Sequence, residues 1–138
     1  MMSFPNRRKN IEREERRGLR YEREDAAGKL LKKVPDLISL NLAIHEKRPS
    51  GCINENHYIR RIVVEHAPAL VEVPCSDPDC SDGGYDVTRE VLFALAARQA
   101  RFEGEHACRG TTGMCDCGRL LKFVGTATYR ARETALSA

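Results

Sequence analysis

The chain contains no tryptophan, and its four Phe and four Tyr leave the aromatic share at 6%. With so few large side chains, a small domain has little to build a core from and often needs a metal or disulfide staple. No apolar run approaches the roughly 18 residues that a membrane span needs. The opening M-M-S-F-P-N-R-R-K-N lacks the apolar core of a signal peptide, so a cytoplasmic protein without membrane association is expected. Catalytic signatures are missing too. Pro74-Cys75 is not preceded by the His-x-Glu that a zinc deaminase requires, and there is no H-E-x-x-H, phosphate-cradling glycine loop or nucleophile elbow. The one local thiol–imidazole combination, His106 with Cys108, gives a zinc- or thiol-dependent enzyme little support. A non-enzymatic protein with no small-molecule substrate is the expectation. No internal repeat is visible, and 138 residues fit one domain with an appendage.

Charge is plentiful but uneven. Residues 1–48 hold 13 Lys/Arg against 8 Asp/Glu (+5) and residues 49–138 hold 10 against 12 (−2), together the +3 of the whole chain. The basic surplus therefore sits at the N-terminus, where Arg7, Arg8, Lys9, Arg13, Arg16, Arg17 and Arg20 are the candidate contacts to nucleic acid or another partner. Apolar residues are sparse over 1–34 and Gly18 and Gly28 interrupt it, which predicts a disordered arm or a frayed helix.

From Pro35 the pattern changes. Residues 37–45 alternate, with Ile38, Leu40, Leu42 and Ile44 on one face, and predict a half-buried strand. Residues 57–66 are rich in β-branched residues and predict a second strand, and Leu70–Val73 a third. Asp86 is placed to cap a helix whose apolar stripe runs from Val87 through Val91, Leu92 and Leu95 to Phe102, with Gly104 as its stop. Residues 119–129 predict a fourth strand, with Gly125 as a bulge. The expected division is an arm (1–34), an α+β domain (35–130) and a polar tail (131–138). The domain is an antiparallel sheet of about four strands with one helix.

Five of the six cysteines fall in two clusters, V-P-C-S-D-P-D-C-S-D-G-G and H-A-C-R-G-T-T-G-M-C-D-C-G. Reduced thiols from two short turns are the usual way to surround a tetrahedral zinc ion. Cys75, Cys80, Cys108 and Cys117 form the candidate set. Cys115 is held in reserve for the fourth position, because both cysteines of C-D-C rarely reach one ion. Gly118 after Cys117 permits a tight turn into the last strand. Turn amides can point at the sulfurs and offset their charge. Four thiolates would leave no open coordination position, so a structural zinc is expected. Cys52 reads as a free thiol, His106 as a surface residue near the second cluster, and His45, His57 and His66 as ordinary polar residues.

The run C-x4-C-x-D-G-G-Y-D-V, then F-E-G-x3-C-x-G, then C-G-R-L-L-K-F-V-G-x-A-T-Y resembles zinc-ribbon or treble-clef-type modules, and is similar to small bacterial zinc-ribbon-like proteins. The resemblance spans about 55 residues, Cys75–Tyr129, and implies a metal-stabilised binding module. With the basic arm, the expected function is a nucleic-acid-associated or regulatory adaptor. The alternative is a protein–protein interaction module that binds no nucleic acid.

Overall fold

The computed structural model describes residues 4–47, 55–77, 79–81, 83–112 and 115–131, with backbone alone for 4–10, 12, 13, 16, 17, 112, 115 and 116. Helices α1 (Phe4–Ala27) and α2 (Leu30–Lys33) open the chain, followed by strands β1 (Leu37–Lys47), β2 (Asn56–Ile62), β3 (Glu72–Val73), β4 (Cys80–Ser81) and β5 (Tyr85–Asp86). Helix α3 (Thr88–Ala96), then β6 (Arg101–Ala107), β7 (Thr111–Thr112), β8 (Cys115–Asp116) and β9 (Leu120–Tyr129), complete it. This is the expected mixed α+β architecture, built on a four-stranded antiparallel sheet ordered β2-β1-β9-β6. Two small accessory sheets, β3-β5 and β4-β7-β8, lie between its strands in sequence. Among the described residues no helix is long and apolar enough to cross a membrane.

The identity of the fourth strand differs from the sequence expectation. Leu70–Val73 supplies only a two-residue strand in a ribbon, and the sheet takes β6 instead, from residues expected to finish the helix. The helix stops early because Arg98 does what glycine usually does. It adopts φ 56°, its amide bonds Leu95 O at 3.0 Å, and the Gln99 amide bonds Ala94 O at 3.0 Å, the paired bonds of a Schellman stop. Its guanidinium pairs with Asp36, donates to Arg130 O at 2.9 Å and lies 4.9 Å above the Tyr129 ring, contacts that compensate the left-handed backbone. At the other end, Asp86 Oδ1 accepts from the Thr88 amide at 3.0 Å, as a residue before a helix can.

Gly104 and Gly125 also act differently from expectation, one not ending a helix and the other not making a bulge. They sit in register opposite rings on neighbouring strands, Gly104 opposite Phe123 and Gly125 opposite Phe102. An added Cβ would lie 2.6 Å from the Phe123 ring or 2.2 Å from the Phe102 ring. Each glycine leaves a gap that a cross-strand ring fills, and the two rings meet edge to face at 6.4 Å.

Alternation along β1 holds from Leu40 onwards: Leu40, Leu42 and Ile44 are buried. Ile38 departs from it and is half exposed, because pairing with β9 jumps from Leu37↔Tyr129 to Ser39↔Thr128. The extra residue turns Leu37 inward in place of Ile38. The core joins these residues to Leu121, Phe123 and Ala127 of β9, Val91, Ala94 and Leu95 of α3, and Val71, Val73, Tyr85 and Val87.

The N-terminal segment is helical from Phe4 to Ala27, as its Glu and Arg content favours, and Arg20–Glu24 forms an i,i+4 pair at 3.2 Å. The helix ends at Gly28, whose φ of 79° suits only glycine comfortably. The core extends further back than the expected boundary at residue 35. Leu30 is fully buried and Val34 nearly so, and backbone bonds Leu30 N–Ala67 O (2.9 Å) and Ala69 N–Gly28 O (2.7 Å) stitch this turn to the domain. Arg23 adds an exposed ion pair to Glu72 at 2.9 Å.

Candidate metal centre

The four cysteines arrive from separate pieces of chain. Cys75 follows β3, Cys80 begins β4, Cys108 follows β6, and Cys117 precedes β9. The Cys75–Cys80 turn is set by Asp77, whose Oδ1 accepts from the Asp79 amide at 2.9 Å and whose carbonyl accepts from the Cys80 amide at 3.1 Å. The opposing side is closed by Cys108 N–Arg119 O (2.8 Å) and Cys117 N–Gly110 O (2.9 Å).

All four sulfurs lie within 4.8 Å of one another. Cys75 Sγ and Cys117 Sγ are 3.8 Å apart, and Cys80 Sγ and Cys108 Sγ 3.7 Å. Those gaps are too long for disulfides, and the cysteines are free. They match the roughly 3.8 Å edge of a tetrahedron with about 2.3 Å bonds from its centre to sulfur. The group can hold a metal ion. Cys117 is one of its members; Cys115 is in β8, and its side chain lies outside the described residues. Cys52 lies outside them as well.

Glycines close round the sulfurs. A Cβ on Gly83 would stand 2.2 Å from Cys80 Sγ and 3.0 Å from Cys108 Sγ, and one on Gly110 would stand 2.3 Å from Cys80 Sγ. Bare backbone is therefore required at both positions, and it brings amides to the cluster. The Gly84 and Gly110 N–H groups each donate to Cys108 Sγ at 3.4 Å. Burial works to raise the Cys108 thiol, but these amides and the neighbouring Cys80 and Cys75 thiols outweigh it and bring it below the ordinary value. Burial pushes Cys80 up to about 12 and raises Cys75 strongly, with the Cys108 and Cys117 thiols adding to both shifts. A cation at the centre is what would let all four ionise together.

Beneath the first turn lies a buried polar knot that sequence reasoning missed. Glu46 continues the inward column of β1 and is 2% exposed. Its Oε2 accepts from Tyr85 OH at 2.8 Å and from the Ser76 amide at 3.2 Å, and Oε1 faces Arg119 Nη1 at 3.9 Å. Arg119, 6% exposed, donates to Ser76 Oγ at 2.9 Å and reaches Asp77 Oδ2 at 3.7 Å. Burial and the Glu46 carboxylate push the Tyr85 phenol far up, which keeps it a donor. Three buried side chains thus fix the two residues after Cys75. The signal was present: Glu46 sits two residues past Ile44, in phase with the buried column.

His106 is on β6 and turns to α3, its Nε2 2.8 Å from Glu90 Oε2, away from the sulfur group. Among the candidate contact residues of α1, Arg20 is exposed and paired with Glu24. The side chains of Arg7, Arg8, Lys9, Arg13, Arg16 and Arg17 lie outside the described residues. Comparison with protein-family models, curated proteins and solved structures finds no match for this chain.

Proposed function

We propose that the protein is a non-enzymatic adaptor in which a structural zinc ion staples the α+β domain and helix α1 offers a basic stripe to nucleic acid. The observation that carries the partner reading is the phase of the helix. With 3.6 residues per turn, positions 9, 13, 16, 17 and 20 fall within an arc of about 100°. Lys9, Arg13, Arg16, Arg17 and Arg20 occupy it with one acid, Glu24, while Glu14, Glu15 and Glu22 fall outside it, as do Arg7 and Arg8. Five cations against one carboxylate leave that arc net positive, and a cationic stripe is what a phosphate backbone attracts.

Zinc is favoured over other ions by the all-thiolate donor set and the tetrahedral spacing of the sulfurs. Four thiolates fill a tetrahedral ion and leave no place for a reacting water, which supports a structural role. Purified protein should carry about one zinc per chain at this centre, and a folded, reduced sample without metal there would overturn the staple.

Gel shifts across a salt series test the partner. Full-length protein should bind a short duplex or single strand with a log–log salt slope of about −4 if the five cations each neutralise a phosphate. A chain lacking residues 1–27 should lose that binding while keeping its fold, since the core begins at Leu30. Binding unchanged by the deletion, or none at low salt, would refute the nucleic-acid reading. The absence of binding would then favour a protein-interaction module, for which the exposed Ile59 of β2 offers an apolar contact.

A further inference from the structure

We infer that His45, Glu55 and His57 form a second, open metal site for a divalent transition ion on the exposed face of the sheet. His45 on β1 and His57 on β2 are direct cross-strand partners. Side chains so placed on an antiparallel pair are close enough to act together. Their rings stack at 3.9 Å with 26° between the planes. Both Nε2 atoms turn to the same oxygen, Glu55 Oε2, at 3.2 Å from His45 and 3.4 Å from His57. The three ligand atoms all lie within 4.8 Å of one another.

Two imidazoles and one carboxylate are the borderline donors that zinc, nickel, cobalt and ferrous ions accept. The hydrogen bonds alone explain this arrangement less well. Each ring could satisfy its N–H with water at no cost on an exposed face, yet both converge on one point from adjacent strands. A cation there would take up the convergence of two nitrogens and an oxygen, and the pairing of β1 with β2 pre-sets the separation of the two rings. Unlike the cysteine centre, three ligands from one side leave coordination positions facing solvent. Ala43, Ile59 and Val124 line the surface beside it, so an incoming ligand would meet an apolar floor.

Local charge is mixed. Lys122 stands opposite His45 on β9, and Lys47 lies two residues further along β1. Both cations oppose a divalent ion, but exposed charges are screened at physiological salt. A weaker and more exchangeable site than the cysteine centre follows.

The test uses full-length protein whose cysteine centre has been filled with zinc, titrated with further Zn²⁺ or with Ni²⁺. Calorimetry should show one additional ion per chain. Nitrogen NMR of the imidazoles should show the Nε2 signals of His45 and His57 moving together, with His66 and His106 still. Losing a direct ligand costs at least as much as losing its supporting partner, so His45→Ala or His57→Ala should weaken the additional binding at least about tenfold. Both should leave the first ion in place. No additional ion, a response of one imidazole alone, or binding unchanged in His57→Ala would overturn the site. Should either variant fail to fold, the NMR of the unmodified protein decides the matter.

Discussion

Replacing Glu46 by Gln is the sharpest single perturbation of the structure beneath the cysteine centre. The carboxylate is 2% exposed and faces Arg119, itself 6% exposed. Stranding one partner of a buried pair costs about 3–5 kcal/mol. Gln keeps an acceptor for Tyr85 and for the Ser76 amide, and Asp77 at 3.7 Å still answers part of the Arg119 charge. The expected loss is therefore near the lower bound, about 2–3 kcal/mol, which for a domain of this size lowers Tm by roughly 10 °C or more. Urea denaturation of the zinc-loaded protein would read it as a shift in midpoint at unchanged slope. Because Glu46 holds Ser76 beside Cys75, affinity for the zinc proposed there should fall as well, by about tenfold or more. A double replacement, Glu46→Leu with Arg119→Met, removes both charges and should cost clearly less than the sum of the two single changes. A loss below about 0.5 kcal/mol in Glu46→Gln, or strict additivity in the double variant, would refute the buried knot.

Gly125→Ala drives a methyl into the Phe102 ring and should cost about 1–3 kcal/mol in chemical denaturation, with part of it returned by Phe102→Leu in the same chain. An unaffected midpoint would refute the close approach. Arg98→Gly and Arg98→Ala lose the same Asp36 and Tyr129 contacts, but only glycine relaxes the positive φ. The glycine variant should be the more stable of the two by about 1 kcal/mol, and equal melting temperatures would count against the helix stop. Metal binding should expel protons, because Cys75 and Cys80 are raised and stay protonated at neutral pH without an ion. Affinity should therefore drop as pH falls, and calorimetry in buffers of different ionisation enthalpy should report at least two protons released per ion. Release of none would refute protonated thiols in the ion-free state.

The sequence carried the cysteine set well, because ligand spacing and turn residues are local properties. Cys75, Cys80, Cys108 and Cys117 needed only the fold to bring the two clusters together. Alternation along β1 was equally plain from Leu40 onward. Strand β6 was hidden because its inward column reads Phe102, Gly104, His106, one apolar side chain among three; the glycine is filled by Phe123 from the next strand, which no local window contains. The end of α3 was hidden because Arg98 takes a conformation that composition assigns to glycine. Glu46 was passed over because a charge in a buried column looks like the end of a strand until Arg119 and Tyr85 are brought beside it by tertiary structure. Leu30 and Val34 were too few to announce a core, and only the stitching to Ala67 and Ala69 makes them part of one.

Two of the close sulfur pairs are nested in sequence. Cys75 and Cys117 are 42 residues apart, and Cys80 and Cys108, 28 residues apart, lie wholly inside that span. An ion gripping all four would turn the middle of the chain into a closed ring containing α3 and β6, with both termini outside it. Tying a span of that length removes freedom from the unfolded chain on the order of 4 kcal/mol. A protease cut in the ring, for instance beside the exposed Phe93, would then yield two pieces that stay tethered even in denaturant for as long as the ion is retained. Removing the ion, with a chelator or with acid, would let them part.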